Sequence, residues 1–129
     1  MYQYRGKTAL ITGASSGIGE AFAHVLAARG MQVILVARSK ERLSSLAEHL
    51  ASEHGIRADV IVADLSLPES PAQIFQAVQD LDLHVDLLVN NAGFGTSGSF
   101  ETIDLARDHQ QVMVNVAAVV DLTHLFIPQ

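Results

Sequence analysis

Between Lys7 and Gly19 the chain reads K-T-A-L-I-T-G-A-S-S-G-I-G, and few folds accommodate that string. Thr8–Thr12 is a short apolar run of the kind that forms a buried strand. Glycines then break it, and the chain is expected to resume as a helix with Ile18, Phe22, Val25 and Leu26 on one face. A strand, a glycine turn and a helix in that order build a phosphate site. The turn's backbone N–H groups and the positive end of the helix point at the same place. Glycine is required because a side chain would hold a phosphate away from the backbone. The candidate contacts are Gly13, Ser15, Ser16, Gly17, Ile18 and Gly19.

The glycine spacing is G-x-x-x-G-x-G, not the G-x-G-x-x-G of the common dinucleotide fingerprint. Glycines so placed also close ordinary strand-to-helix turns. The longer string T-G-A-S-S-G-I-G says more, and it resembles the cofactor loop of the short-chain dehydrogenase/reductase family. That resemblance implies hydride transfer between a nicotinamide and an alcohol or carbonyl substrate.

Alternation of strands and helices continues along the chain. Gly30 is a plausible helix C-cap, and Gln32–Ala37 is a near-continuous apolar strand, the pattern of a parallel strand covered on both faces. Leu43, Leu46, Ala47 and Leu50 mark the buried face of a second helix ending near Gly55. Asp59–Ala63 is a third strand. Ser70 is expected as the next N-cap, with Pro71 in the first helical position and Gln73 completing a capping box. A start at Ser66 with Glu69 would leave Pro71 inside the helix. Ile74, Val78 and Leu81 mark the inner face of that helix. Val85–Val89 is a fourth strand ending in N-N-A-G, followed by a loop (94–99) that its glycines and serines make mobile. A last helix begins near Thr102 or Asp104 and runs to about Ile127. The pattern implies an α/β fold, a doubly wound parallel sheet of Rossmann-like type.

The totals agree with one such domain. The 129 residues permit a substantial core, and 49% are hydrophobic with no Trp, so the core should be aliphatic. Absence of Cys excludes disulfides and thiolate metal sites. The six His are scattered without paired helical ligand spacing and read as solvated or structural, so no metal is expected. A net charge of −6 argues against a nucleic-acid partner. The N-terminus lacks a signal peptide's apolar core, and the most apolar stretch (112–120) is interrupted by Asn115 and too short to span a membrane. A soluble, cytoplasmic protein is expected.

In dinucleotide folds an acidic residue about twenty positions past the glycine loop binds the ribose hydroxyls and selects NAD. Here the end of the second strand holds Arg38, with Lys40 and Arg42 just behind. Guanidinium chemistry suits the 2′-phosphate of NADP. A solvated charge run is the competing explanation, but cations at a helix start oppose the macrodipole. Asp64, followed by Leu65, stands where a ligand's adenine amino group would donate to it, or else it caps a loop. In the family, the second Asn, Ala and Gly of N-N-A-G (Asn91, Ala92, Gly93) line the cofactor, while the first, Asn90, ties the central strands together. Asn115 is either a satisfied structural or interface amide or, as the resemblance implies, the catalytic-site residue that holds a water of the proton relay.

The resemblance runs the length of the chain through T-G-A-S-S-G-I-G, Asp64, N-N-A-G and Asn115. The family's reaction uses a Ser and a Tyr-x-x-x-Lys pair, and this sequence contains neither the pair nor any Tyr besides Tyr2 and Tyr4. The expectation is therefore an NADP-binding domain over residues 1–129, the fold being truncated after the fourth strand and its following helix, without the catalytic half. It would be part of an NADP-dependent oxidoreductase with an unidentified small-molecule substrate. A non-catalytic dinucleotide-binding module acting with a partner is the alternative. Exposed strand edges and an apolar last helix (Val112, Val116, Val119, Val120) point to a homo-oligomer.

Overall fold

A computed structural model of the chain describes residues 1–128; Gln129 lies outside the described residues. Four parallel strands, β1 (Thr8–Thr12), β2 (Gln32–Ala37), β3 (Ala58–Val62) and β4 (Leu87–Val89), form one sheet in the order β3-β2-β1-β4. Helices α1 (Gly17–Ala28), α2 (Lys40–His54), α3 (Ser70–Asp80), α4 (Leu105–Val112) and α5 (Ala118–Phe126) connect and cover them.

Side chains alternate along each strand, and the core accordingly has two halves. Ala9, Ile11, Val33 and Leu35 pack with the buried residues of α1 and α2, whereas Leu10, Ile34 and Val36 pack with those of α3 and α5. Helices on both faces explain why β2 is apolar without alternation, and the sheet is doubly wound as expected. On the α3–α5 side the rings of Phe75 and Phe126 meet edge to face, 5.2 Å between centroids.

Of the apolar stripe on α1, only Leu26 is buried. Ile18, Phe22 and Val25 are 71%, 43% and 50% exposed, and the buried positions are Gly19, Ala23, Leu26 and Ala27. The helix is apolar nearly all round, so periodicity alone offered two faces. Close approach to the sheet selected the face with the smallest residues. At its end the amides of Gly30 and Met31 return to the carbonyls of Ala27 and Leu26, and Gly30 takes φ +85° in the position after the cap. On α2 the expected residues Leu43, Leu46, Ala47 and Leu50 are buried, and Gly55 caps it with φ +64°.

Two further expectations need correction. The Ser70 hydroxyl does not cap α3; it donates to the carbonyl of Asp64, Glu69 occupies the N-cap without a side-chain bond, and no capping box forms. Leu81 is the C-cap of α3, half-buried, beyond the face marked by Ile74 and Val78. The fourth strand begins at Leu87, later than Val85, because the Asp86 carboxylate takes the Thr8 N–H at 2.9 Å while the Asp86 amide donates to Thr8 O. The last helix does start at Asp104, whose side chain caps it by accepting from the Ala106 amide. It is not uniform, however. Met113–Ala117 forms a π-turn between α4 and α5, a distortion that frequently sits at functional sites.

Candidate dinucleotide site

A cavity of about 880 Å³ opens along the carboxyl ends of all four strands, the edge where ligands bind in such sheets. Each strand delivers a segment to it: Gly13–Ser16 after β1, Arg38 and Ser39 after β2, Asp64–Ser66 after β3, and Asn91–Phe94 after β4.

The cradle starts from the turn between β1 and α1. Gly13 and Gly17 have φ of +65° and +59°, where side-chain-bearing residues are strained. A Cβ on Gly17 would meet nothing within 4 Å, so this position faces open space. Ser16 is the N-cap, with no side-chain bond to the helix, and the first amides of α1 have no partners within the helix. Gly19 does not line the cavity. A Cβ there would collide with the carbonyl oxygen of Gly13 and the amide nitrogen of Asn91. Its role is to let the helix sit against the turn, not to let a ligand approach.

In the N-N-A-G turn the strand tie expected of the first asparagine is made by the second. Asn90 Nδ2 donates to the hydroxyl of Thr123 on α5 at 3.2 Å, reaching a helix and not a neighbouring strand. Asn91 is the tie between β4 and β1, its Nδ2 donating to the carbonyls of Thr12 (3.0 Å) and Gly13 (3.3 Å). The Thr12 hydroxyl completes the joint by accepting from the amides of Asn91 and Ala92, both at 3.0 Å. Asn91 still lines the cavity beside Ala92 and Gly93.

Asn115 lies in the π-turn and is exposed. Its Oδ1 accepts from the Phe94 amide at 3.0 Å and its Nδ2 donates to the Phe94 carbonyl at 2.7 Å. Both ends of the amide are thus engaged in clamping the loop that leaves Gly93. A Cβ on Gly93 would stand 3.0 Å from Asn115 Oδ1, so glycine permits the close approach. The following loop is tied down more than its composition suggests. The Thr96 hydroxyl donates to Asp108, its amide to Gln111, and the Arg107 guanidinium covers the Phe94 ring at 4.2 Å.

Charge in the cavity runs against that of the chain. Its lining includes Arg38, Arg42 and Arg107 against a single carboxylate, Asp64, in a protein of net charge −6. The guanidiniums of Arg38 and Arg42 make no hydrogen bond or salt bridge among the described residues, while Ser39 caps α2 by accepting from the Arg42 amide. Asp64 Oδ1 accepts from the hydroxyl (2.7 Å) and the amide (3.0 Å) of Ser66. These bonds, foremost the hydroxyl's, hold its pKa below the usual carboxylate value; partial burial opposes them and Arg38 assists. Of the site residues singled out from sequence, Gly17, Gly19, Lys40, Asn90 and Asn115 do not line the cavity. The others, Leu65 and Ile18 included, line it. Ser39, Ser66, Arg107 and Gln110 were not foreseen as lining residues. The first two carry local signals, a helix N-cap and an Asp-x-Ser turn. The arginine and glutamine come from a helix whose placement the sequence does not fix.

A family model described as short chain dehydrogenase matches residues 7–129. The chain belongs to that family. It is 34% identical over 128 residues to hydroxysteroid dehydrogenase-like protein 1 of Gallus gallus, covering 95% of this chain and 38% of that protein. Among solved structures it resembles L-sorbose reductase from Gluconobacter frateurii complexed with NADPH and L-sorbose. There the TM-score is 0.90 at 34% identity, over 96% of this chain and 47% of that one. A short-chain dehydrogenase from Sphingobium yanoikuyae in complex with NADPH gives 0.88 at 37% identity, over 95% and 47%. The chain therefore spans less than half the length of each of these three relatives. Among the described residues, no helix is long and apolar enough to cross a membrane.

Proposed function

We propose that this chain is the NADP-binding part of an oxidoreductase of the short-chain dehydrogenase type, acting on an alcohol or carbonyl substrate. The observation that carries the cofactor choice is the pair of guanidiniums lining the cavity, Arg38 and Arg42, which make no hydrogen bond or salt bridge among the described residues. The first-turn amides of α1, with the hydroxyls of Ser15 and Ser16, would hold the pyrophosphate. Arg38, Arg42 and Ser39 would hold the 2′-phosphate, and Asp64 would accept from the adenine amino group through the oxygen that Ser66 leaves free. The cradle fits such a group: Gly17 presents no side chain and faces open space. Ala92 and Gly93 would line the nicotinamide end, with Asn115 acting as a positioning residue through Phe94. When bound, the nicotinamide supplies a hydride donor or acceptor.

Titration of both cofactors by fluorescence tests the reading. Arg38→Asp turns a charge-assisted contact into a repulsion and should weaken NADPH more than NADH by about 2–4 kcal/mol. Equal losses for the two would overturn it.

Reduction of a carbonyl also needs a proton donor within hydrogen-bond reach. The cavity lining includes no Tyr, Lys or His. Tyr2 and Tyr4 lie before β1, at the amino ends of the strands, paired with each other and covered by Lys7 and Arg29. The 129-residue chain by itself should therefore bind NADPH yet reduce no member of an aldehyde and ketone panel above background. Robust turnover by the intact chain would show that another donor serves.

A further inference from the structure

Away from the cavity, α1 and α2 lie side by side on one face of the sheet. Their outer surfaces bring His24 of α1 to His49 and Glu53 of α2. His49 and Glu53 are one turn apart on α2, with His49 Nε2 2.8 Å from Glu53 Oε2. His24 projects from α1 toward them, its ring edge to face with that of His49 at 5.7 Å between centroids. One potential ligand atom from each of the three lies within 4.8 Å of the others. Two of the six histidines, His24 and His49, thus meet across two helices, a pairing that spacing along one helix does not show.

We infer that His24, His49 and Glu53 form a binding site for a divalent transition-metal ion of the Zn²⁺ class. The donor set decides the class. Two imidazoles and a carboxylate suit Zn²⁺, Ni²⁺ or Cu²⁺, whereas Mg²⁺ and Ca²⁺ select all-oxygen sites. Tetrahedral ligands about 2.0–2.1 Å from a zinc ion stand about 3.3 Å from one another. The His49–Glu53 pair stands at 2.8 Å and all three ligand atoms lie within 4.8 Å of one another, so rotamer changes of partly or fully exposed side chains would close the site.

The helices beneath are fixed by buried residues, Ala23 and Ala27 on α1 and Leu46, Ala47 and Leu50 on α2, so the ligands project from rigid elements. His54 Nε2 stands 3.7 Å from the same Glu53 oxygen and would orient the carboxylate from outside. His24 forms no hydrogen bond or ion pair among the described residues, so its ring nitrogens are available. Three protein ligands leave the fourth position to water. The ion would clip α1 to α2, adding a cross-link between two helices that pack on the same face of the sheet.

The test is calorimetric titration of the tag-free, chelator-treated chain with ZnCl₂ at pH 7.5, in parallel with MgCl₂. The expected result is one equivalent of Zn²⁺ bound in the micromolar range and no measurable Mg²⁺. Removing an outer-shell partner already weakens metal sites by about 10–100-fold. His24→Ala and His49→Ala should each cost at least that much, while His84→Ala and His109→Ala should bind as the wild type does. Circular dichroism confirms that each variant is folded. Substitution with Co²⁺ should give the visible absorption of a four-coordinate site, absent in His24→Ala. Wild type binding Zn²⁺ no more tightly than folded His24→Ala/His49→Ala, or Mg²⁺ binding equally well, would overturn the assignment. Because none of the three residues lines the dinucleotide cavity, NADPH affinity reports separately on that site.

Discussion

Two strands of similar composition have different fates in this sheet. β2 has a neighbour on each side and helices on both faces, and Val33, Ile34 and Leu35 are wholly buried. β4 is equally apolar but among the described residues pairs only with β1, and Leu87, Leu88 and Val89 remain half-buried. Burial in a parallel sheet is conferred by neighbours, not by the residues themselves. The cavity shows the same asymmetry. At the β1–β3 side the glycine turn, the arginines and the Ser66–Asp64 turn make a defined wall. At the β4 side, the Asn91 joint and the Phe94 clamp border α4 and the π-turn, where Val112 and Val116 are exposed.

The largest expected effect tests this contrast with one substitution made twice. Leu35→Ala empties a site with no exposure and should cost about 3–4 kcal/mol. Leu88→Ala removes a half-buried side chain that solvent already reaches and should cost about 1 kcal/mol. Urea denaturation of the two variants gives the comparison, and equal losses would break it.

Next comes Gly19→Val. The closed side is built on contact between α1 and the Gly13 carbonyl, so a side chain at Gly19 must push the helix away from the turn. A loss of about 3 kcal/mol is expected, at the upper end for overpacking. By contrast, Gly17→Ala places its methyl in open space and costs about 1–2 kcal/mol through its positive φ alone. Thermal unfolding without ligand separates the two. A folded Gly19→Val of normal stability would return Gly19 to the role of a ligand contact.

These two tests also mark what the sequence made legible. Strand–helix alternation, the doubly wound sheet and most of the cavity lining follow from short-range signals: apolar runs, the glycine turn, a charge change after β2. What could not be read was set by tertiary contact. The buried face of α1 is chosen by closeness to the sheet. That Asn91 and not Asn90 ties β4 to β1 depends on Thr12 and Thr123, remote in sequence and adjacent only after folding. The Ser70 hydroxyl had a capping option in sequence, but the Asp64 carbonyl was nearer in the fold.

On the open side, α4, the π-turn and α5 expose Val112, Val116 and Val120, 50–57% accessible, one turn apart. With β4 unpaired on its outer side, these residues should drive self-association of the 129-residue chain at tens of micromolar. Val116→Asp should weaken it by about 1–2 kcal/mol by placing a charge in the contact, visible as a shift toward monomer in light scattering. The matching change on α2, Ser45→Asp, should leave the distribution unchanged. A monomeric wild type would mean that these apolar surfaces are tolerated singly.

The smallest effect distinguishes the turns that close the two sides. Asp64 carries a lowered pKa because the Ser66 hydroxyl and amide bond its ionised form, whereas the Thr12–Asn91 joint contains no ionisable group. A carboxyl whose folded pKa is depressed adds stability in full above its unfolded value, and that stability is lost as pH falls through the folded value. Wild type should therefore exceed Asp64→Asn by about 1 kcal/mol at pH 6, and the gap should close with acidification below the ordinary carboxylate range. The Ser66 amide resonance should titrate over the same acidic interval, while those of Asn91 and Ala92 stay fixed until the chain unfolds. Simultaneous movement of all three would mean that the turns respond as one unit, and the division between a tightly closed side and an open one would not extend to the rim of the cavity.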